Sequence, residues 1–141
     1  MIALVVIGGM RVAVVAERTA RHDGADPAAA RLGGHAERLA DRGHDVAVFC
    51  AKWWEGEQPE FEVESVSYRA VTVEDDEPDR RFVTRLPRLL RGFDPDVIHA
   101  AHGNALAIHA ARLAGTVLRA PIVVDWYAVD GAAGWRASVT A

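Results

Sequence analysis

Short apolar runs rich in β-branched residues alternate with longer helical segments along most of this chain. Four runs have the length of strands that are buried on both faces, and they span Arg11–Ala16, Asp45–Cys50, Asp96–Ala101 and Ile122–Tyr127. The segments with helical periodicity are Ala28–Arg42, Arg80–Phe93 and Ala105–Ala114. Apolar strands that alternate with helices are typical of a parallel sheet. The pattern therefore predicts the α/β class, with a Rossmann-like, doubly wound parallel sheet flanked by helices.

Glycine residues punctuate the predicted helices. Gly43 is expected at the C′ position after the first helix, where a left-handed backbone suits glycine. Gly33 and Gly34 inside that helix indicate either close packing or a later start of the helix. Gly115 is expected to end the third helix.

The second predicted helix has one apolar face and one arginine-rich face. Pro87 is expected to kink this helix or to mark its first turn. The arginine-rich face consists of Arg80, Arg81, Arg85, Arg88 and Arg91. We interpret it as a solvated outer face that pairs with the acidic segment just before the helix. A phosphate or lipid-headgroup site is the alternative.

The region from Trp53 to Asp79 has a different character. Phe61–Val63 and Val66–Val73 are predicted to be short strands, but the segment is heavily acidic. We interpret it as a solvated edge of the sheet with loops.

Length and charge limit what the chain can be. Its 141 residues indicate one domain, and the formal net charge of −4 disfavours a nucleic-acid partner. Cys50 is the single cysteine, which excludes an internal disulfide and fits a cytoplasmic location. The apolar start is interrupted by Arg11, so no transmembrane segment is predicted. No basic residue precedes the apolar run, so it does not resemble a signal peptide. Met10 is a second candidate start, so we interpret residues 1–9 as a leader or mis-assigned start and residues 10–141 as the domain.

Several familiar site motifs are absent from the sequence. There is no dinucleotide-binding glycine fingerprint, phosphate loop or nucleophile elbow. His99 and His102 lie near each other without a third ligand, so no metal site is predicted. Ligands of doubly wound sheets bind beyond the carboxyl ends of the strands, so the loops that follow the strands are where chemistry is expected.

Three segments resemble a known family. RLADRGHDVAVFC (Arg38–Cys50), FDPDVIHAAHG (Phe93–Gly103) and PIVVDWY (Pro121–Tyr127) resemble, in order and spacing, phrases of the glycosyltransferase superfamily that includes glycogen synthase. The resemblance covers most of residues 10–131. It implies the N-terminal domain of a two-domain, B-type, retaining enzyme that transfers sugar in the cleft between its domains.

The resemblance also implies a division of labour. The N-terminal domain of the family mainly holds the acceptor, and the C-terminal domain holds the nucleotide-sugar, usually without an obligatory metal. This chain is then expected to be a C-terminally incomplete fragment, inactive alone, that needs no cofactor besides the nucleotide-sugar co-substrate. Its expected partners are the missing C-terminal domain and a glycan, lipid-linked or small-molecule acceptor, and peripheral membrane contact is compatible with this role.

The chain departs from the family at its site residues. The Gly-Gly pair that faces the donor phosphates is absent, and His22, Asp23 and Gly24 stand nearby as candidate donor contacts. Tyr127 aligns with the family's catalytic-region histidine, and Asp125 aligns with a threonine before it. With His102, these two are the candidate acceptor or catalytic contacts. An aromatic strand end packed under a loop is the alternative for Asp125–Tyr127, and His99 is interpreted as structural.

A non-catalytic α/β interaction module or receiver-like module is the competing interpretation. A receiver needs paired acids after its first strand and a lysine at the end of a later strand. Here Glu17 stands alone, and Lys52 follows the second strand, which disfavours a receiver.

Overall fold

A computed structural model describes residues 9–16, 19, 21, 27–73, 78–101, 105–125 and 138–140. These residues form one sheet and three helices. The strands are β1 (Arg11–Val15), β2 (Asp45–Ala51), β3 (Glu60–Val63), β4 (Val66–Thr72), β5 (Val97–Ala101), β6 (Ile122–Asp125) and β7 (Ser138–Thr140). The helices are α1 (Pro27–Asp41), α2 (Pro78–Phe93) and α3 (Ala105–Leu118).

The strand order in the sheet is β3-β4-β2-β1-β5-β6-β7. The five central strands, from β4 to β6, are parallel, and four of them are the predicted strands of the doubly wound core. The fifth is β4, which was expected in a solvated edge but lies inside the sheet between β2 and β3. The two outermost strands pair antiparallel, so the complete sheet is mixed. At one edge the reason is local. Glu64 and Ser65 both have positive φ (52° and 63°) in the tight turn between β3 and β4, and such turns join antiparallel strands.

The helices cover the sheet from both faces. On one face, α2 and α3 bury an apolar cluster against the strands, and the most enclosed members contributed by α2 are Phe82, Leu86, Leu90 and Phe93. On the other face, α1 packs Leu32 and Ala36 onto the side chains of β1, β2 and β4. The apolar arc predicted for the second helix is therefore the face that contacts the sheet.

The end of α1 agrees with the prediction. Gly43 has a φ of 91°, and its amide donates to the Ala40 carbonyl at 3.0 Å, while the His44 amide donates to the Leu39 carbonyl at 3.2 Å. These bonds satisfy carbonyls at the helix end, as in a Schellman-type cap. Gly33 and Gly34 lie within α1, which starts at Pro27, so they do not mark a later start.

The predicted end of α3 at Gly115 is wrong, because the helix continues to Leu118. A Cβ atom at position 115 would lie 2.6 Å from the Cδ1 atom of Ile122, so glycine is required there for α3 to approach β6 closely. The helix ends at Leu118 instead, and the next residue, Arg119, has a φ of 56°. The Ala120 amide then donates to the Gly115 carbonyl at 3.0 Å.

Two further differences concern α2 and β7. Pro87 lies well inside α2, so the first-turn alternative is wrong. Strand β7 falls in a part of the sequence that has no clear periodicity and was not predicted to be a strand. It pairs antiparallel with β6, and Val139 lies opposite Val123.

Candidate functional site

The five parallel strands end at the same edge of the sheet, which we call the carboxyl edge. The chain proceeds from β1 to one side of the sheet and from β5 to the other, so the strand order reverses between these two neighbours. Such a reversal separates the loops that follow the two strands and leaves a crevice, where α/β proteins bind ligands. The crevice here lies beyond Val15 and Ala101, the last residues of β1 and β5.

Of the six predicted site residues, Asp125 is the one that lies within the described part of the chain. It is the last residue of β6, and its Cα is paired with that of Ala101 at the end of β5. The other five candidates, His22, Asp23, Gly24, His102 and Tyr127, lie outside the described residues. The chain enters the His102 loop and the Tyr127 segment from the same edge of the sheet. That the side chains of these loops converge stays a prediction.

Arg21, in the loop between β1 and α1, contacts residues of other elements of the domain. Its backbone amide donates to the hydroxyl of the buried Thr19 at 3.2 Å, and its guanidinium lies 3.7 Å from the Glu37 carboxylate on α1. The guanidinium also lies 5.9 Å from the centre of the Trp53 ring, at the outer range of a cation–π contact. Arg21 therefore links the loop after β1 with α1 and with the loop after β2.

Tyr68 on β4 extends this network into the core. Burial raises the pKa of its phenol above the ordinary value, and a hydrogen bond with Arg21 offsets part of that rise. A buried phenol needs such a partner, since an unpaired polar group inside a protein is costly. The network could not be predicted from the sequence, because its members are far apart in the chain and none belongs to a recognisable motif.

An aromatic cluster occupies the loop after β2 and the adjoining β3–β4 hairpin. The Trp53 ring makes edge contacts with the rings of Trp54, Phe61 and Tyr68 at centroid distances of 5.4, 5.4 and 5.2 Å. The Trp54 indole nitrogen donates to the Gln58 carbonyl at 2.8 Å, which holds the loop in shape. Only a part of the predicted solvated edge is therefore exposed, because Trp54 and Tyr68 are buried and Trp53 is half-buried, whereas Phe61 stays exposed.

His99 and Cys50 lie within strands rather than in the crevice. The Cα of His99 is paired with Val14 of β1 and with Val123 of β6, and the residue is half-buried, in keeping with a structural histidine. Cys50 is buried in β2, and burial raises the pKa of its thiol far above the ordinary value. A thiol that stays protonated is a poor nucleophile. Within the described ranges, no group of three or more metal-ligating side chains comes together.

The comparison with protein families decides the assignment. A family model described as a glycosyl transferase 4-like domain matches residues 23–141. The chain belongs to this family. The match includes five of the six candidate site residues, and His22 lies one residue before it. A search among curated proteins finds no match to the chain.

The crevice of this glycosyl transferase 4-like domain lies at the carboxyl edge of the sheet, between the ends of β1 and β5. The matched segment runs from the loop before α1 through β7, and so contains all three helices and six of the seven described strands. Among the helices described by the structure, none has the length and apolar character needed to cross a bilayer.

Proposed function

We propose that this domain is the acceptor-binding half of a glycosyltransferase that moves a sugar from a nucleotide-sugar to a glycan, lipid or small-molecule acceptor. The observation that carries the proposal is the reversal of strand order between β1 and β5 in a member of the glycosyl transferase 4-like family. A crevice at that reversal is the place where an α/β domain presents its loops to a ligand.

In this proposal the acceptor contacts come from the loops after β5 and β6. His102 and Asp125 supply groups that accept or donate hydrogen bonds to sugar hydroxyls. Tyr127 supplies a ring that stacks on the apolar face of a sugar and a phenol that bonds a hydroxyl. The location of Asp125 at the carboxyl edge supports its share of this role.

The donor side is proposed to involve the loop after β1. His22, Asp23 and Gly24 contact the donor phosphates, with backbone amides near the start of α1 as the binding groups. Arg21, which is bonded to α1 and to the aromatic cluster, is a positioning residue that holds the start of this segment. A second domain binds most of the nucleotide-sugar, so the chain by itself does not transfer sugar. We propose no further cofactor, and a cytoplasmic location.

The proposal is tested by binding measurements on the chain. Saturation-transfer NMR with mono- and disaccharides should detect contact with sugar, and Asp125→Asn should weaken it. The matched control is Asp45→Asn, because Asp45 lies at the opposite edge of the sheet, where it is exposed and faces Arg11 at 3.6 Å. Equal losses in the two variants, or sugar contact that neither variant changes, would contradict the assignment of Asp125.

A thermal-shift measurement tests the division between donor and acceptor. A ligand at 100 times its Kd stabilises a folded protein by roughly 2.7 kcal/mol, which raises Tm by several degrees in a domain of this size. Millimolar UDP- or GDP-sugars should therefore leave Tm unchanged if the donor pocket lies mainly in another domain. A saturable rise in Tm with one nucleotide would show that this chain holds the donor instead.

A further inference from the structure

A cavity lies at the amino edge of the sheet, where the parallel strands begin, and so at the opposite edge from the crevice. It is formed where α3 ends and β6 begins, and its volume is about 500 Å³. Its wall consists of one side of α3 and of the turn that leads through Pro121 into Ile122. Cavities of this size are typical of small-molecule sites. The cavity is therefore separate from the crevice that the proposed function uses.

The charged residues that line this cavity are both arginines. Arg112 and Arg119 lie about two helical turns apart, so both stand on the side of α3 that borders the cavity. Both are exposed, and within the described part of the chain neither has an ion pair or a side-chain hydrogen bond. None of the described residues that line the cavity is acidic, and residues 97–124 contain no aspartate or glutamate. Two guanidiniums without partners thus border a space that can hold an anion.

Arg119 has a backbone conformation that arginine rarely adopts. Its φ of 56° is in the left-handed region, directly after the end of α3, where glycine is the usual residue. At the end of α1 the left-handed residue is indeed a glycine, Gly43. An arginine is less favourable than glycine in this conformation, and such residues are often found at functional sites. The fold therefore tolerates an unfavourable residue at the position that brings a guanidinium to the cavity.

We propose that this cavity binds the phosphate group of a small soluble molecule. Arg112 and Arg119 contact the phosphate oxygens, because a planar guanidinium donates two parallel hydrogen bonds to such a group. The remaining space, bordered by Thr116 and Pro121, takes the rest of the molecule. The site lies at the other end of α3 from the loop that contains His102, so it is not a part of the proposed acceptor site. The proposal does not rest on the proposed glycosyltransferase function.

Isothermal titration calorimetry of the full chain with inorganic phosphate and with pyrophosphate tests the proposal. Both titrations are done at constant ionic strength, so that a change in general screening does not contribute. Saturable binding is expected, and pyrophosphate should bind more tightly because it offers more oxygens to the two guanidiniums. Arg112→Gln and Arg119→Gln should each weaken pyrophosphate binding by about tenfold, since a hydrogen bond between charged groups is lost.

Arg38→Gln with Arg42→Gln is the matched control for charge. Both residues are exposed, in and just after α1 on the other face of the sheet, so this pair should leave the affinity for pyrophosphate unchanged. Arg112→Gln with Arg119→Gln removes the same charge and should abolish saturable binding. Equal losses in the two pairs, or no saturable binding by the unaltered chain, would overturn the proposal.

Two further variants separate a shaped site from general attraction and from a role in ending the helix. Thr116→Phe keeps the charge but fills the cavity from an exposed position, so it should weaken pyrophosphate binding. Arg119→Gly should weaken binding without lowering Tm, because glycine adopts the left-handed conformation freely. Unchanged affinity in Thr116→Phe, or a lower Tm in Arg119→Gly, would contradict the assignment. Binding to phosphatidylglycerol vesicles without any response to pyrophosphate would overturn it in favour of a lipid surface.

Discussion

The two faces of the sheet bury different kinds of side chain. The face covered by α2 and α3 buries an apolar cluster in which the Phe49 and Phe93 rings meet edge to face at 5.8 Å, and the half-buried side chain of Arg69 packs against both rings. The face covered by α1 contains the two buried groups with raised pKa values, Cys50 and Tyr68. It also has a cavity of about 10 Å³, lined by Thr19, Leu32, Gly33, Val48 and Tyr68.

The contrast has a structural consequence. The α2–α3 face supplies apolar burial, which is the largest favourable contribution to folding. The α1 face accepts polar groups because it must also hold the loop after β1, which Arg21 fastens through Glu37 and Tyr68. We therefore expect substitutions on the α2–α3 face to cost the most stability, and substitutions on the α1 face to affect the attachment of Arg21.

The largest effect should come from Phe93→Ala. Phe93 is fully buried on the α2–α3 face, and the guanidiniums of Arg11 and Arg69 lie 4.6 and 4.9 Å from its ring centre. Removing the ring leaves a cavity and ends both cation–π contacts, so unfolding free energy should fall by about 3–5 kcal/mol. Urea denaturation measures the change. Leu113→Ala is the control and should cost little, because its side chain is exposed.

A smaller effect on the same face should come from Gly115→Ala. The new methyl group would clash with the Ile122 side chain, and overpacking of this kind costs about 1–3 kcal/mol. Gly92→Ala in α2 is the matched control, because a Cβ atom there meets nothing within 4 Å. It should stabilise the protein by about 0.5–1 kcal/mol.

A second substitution sharpens this test of close packing. Ile122→Ala removes both side-chain atoms that would clash, Cδ1 at 2.6 Å and Cγ1 at 2.8 Å from the new methyl carbon, so the double variant should lose less stability than the two single changes predict. Thermal unfolding of the four proteins gives the coupling. If the two changes are additive, the contact between α3 and β6 is not the cause of the loss.

The smallest effect concerns pH and the α1 face. The folded state raises the pKa of both Cys50 and Tyr68, so their contribution to stability is complete at lower pH and is lost as pH rises above the unfolded values. The unfolded pKa values are about 8.5 for a thiol and about 10 for a phenol. Above its unfolded pKa, each group lowers the unfolding free energy by at most about 1.4 kcal/mol per pH unit. Stability should therefore fall from about pH 8.5 upward.

Two substitutions separate these contributions. Cys50→Ala should flatten the first part of the pH dependence, and Tyr68→Phe should flatten the part above about pH 10. Denaturant titrations at several pH values measure both. An unchanged slope in Cys50→Ala would show that the α1 face does not hold the thiol in its neutral form.

Prediction from the sequence was correct for features that depend on a local pattern of residues. The parallel central strands, the buried stripe of α2 and the cap at Gly43 each follow from spacing or from one residue's backbone preference. Prediction was less complete at the candidate site. Asp125 was expected at a strand end and lies there, whereas the Arg21 network was not anticipated because residues 21, 37, 53 and 68 meet only after the chain folds.

The sequence by itself determined the α/β class, the order of the central elements and the family, because hydrophobic periodicity and short motifs are local properties of the chain. Tertiary structure alone decided that Gly115 lies inside α3 as a close-packing position, since Ile122 approaches it from another element. It also decided that β7 joins the sheet through β6 and that Leu113 and Val117 of α3 are exposed. Each of these outcomes depends on which element packs against which, and that information is not contained in any single segment.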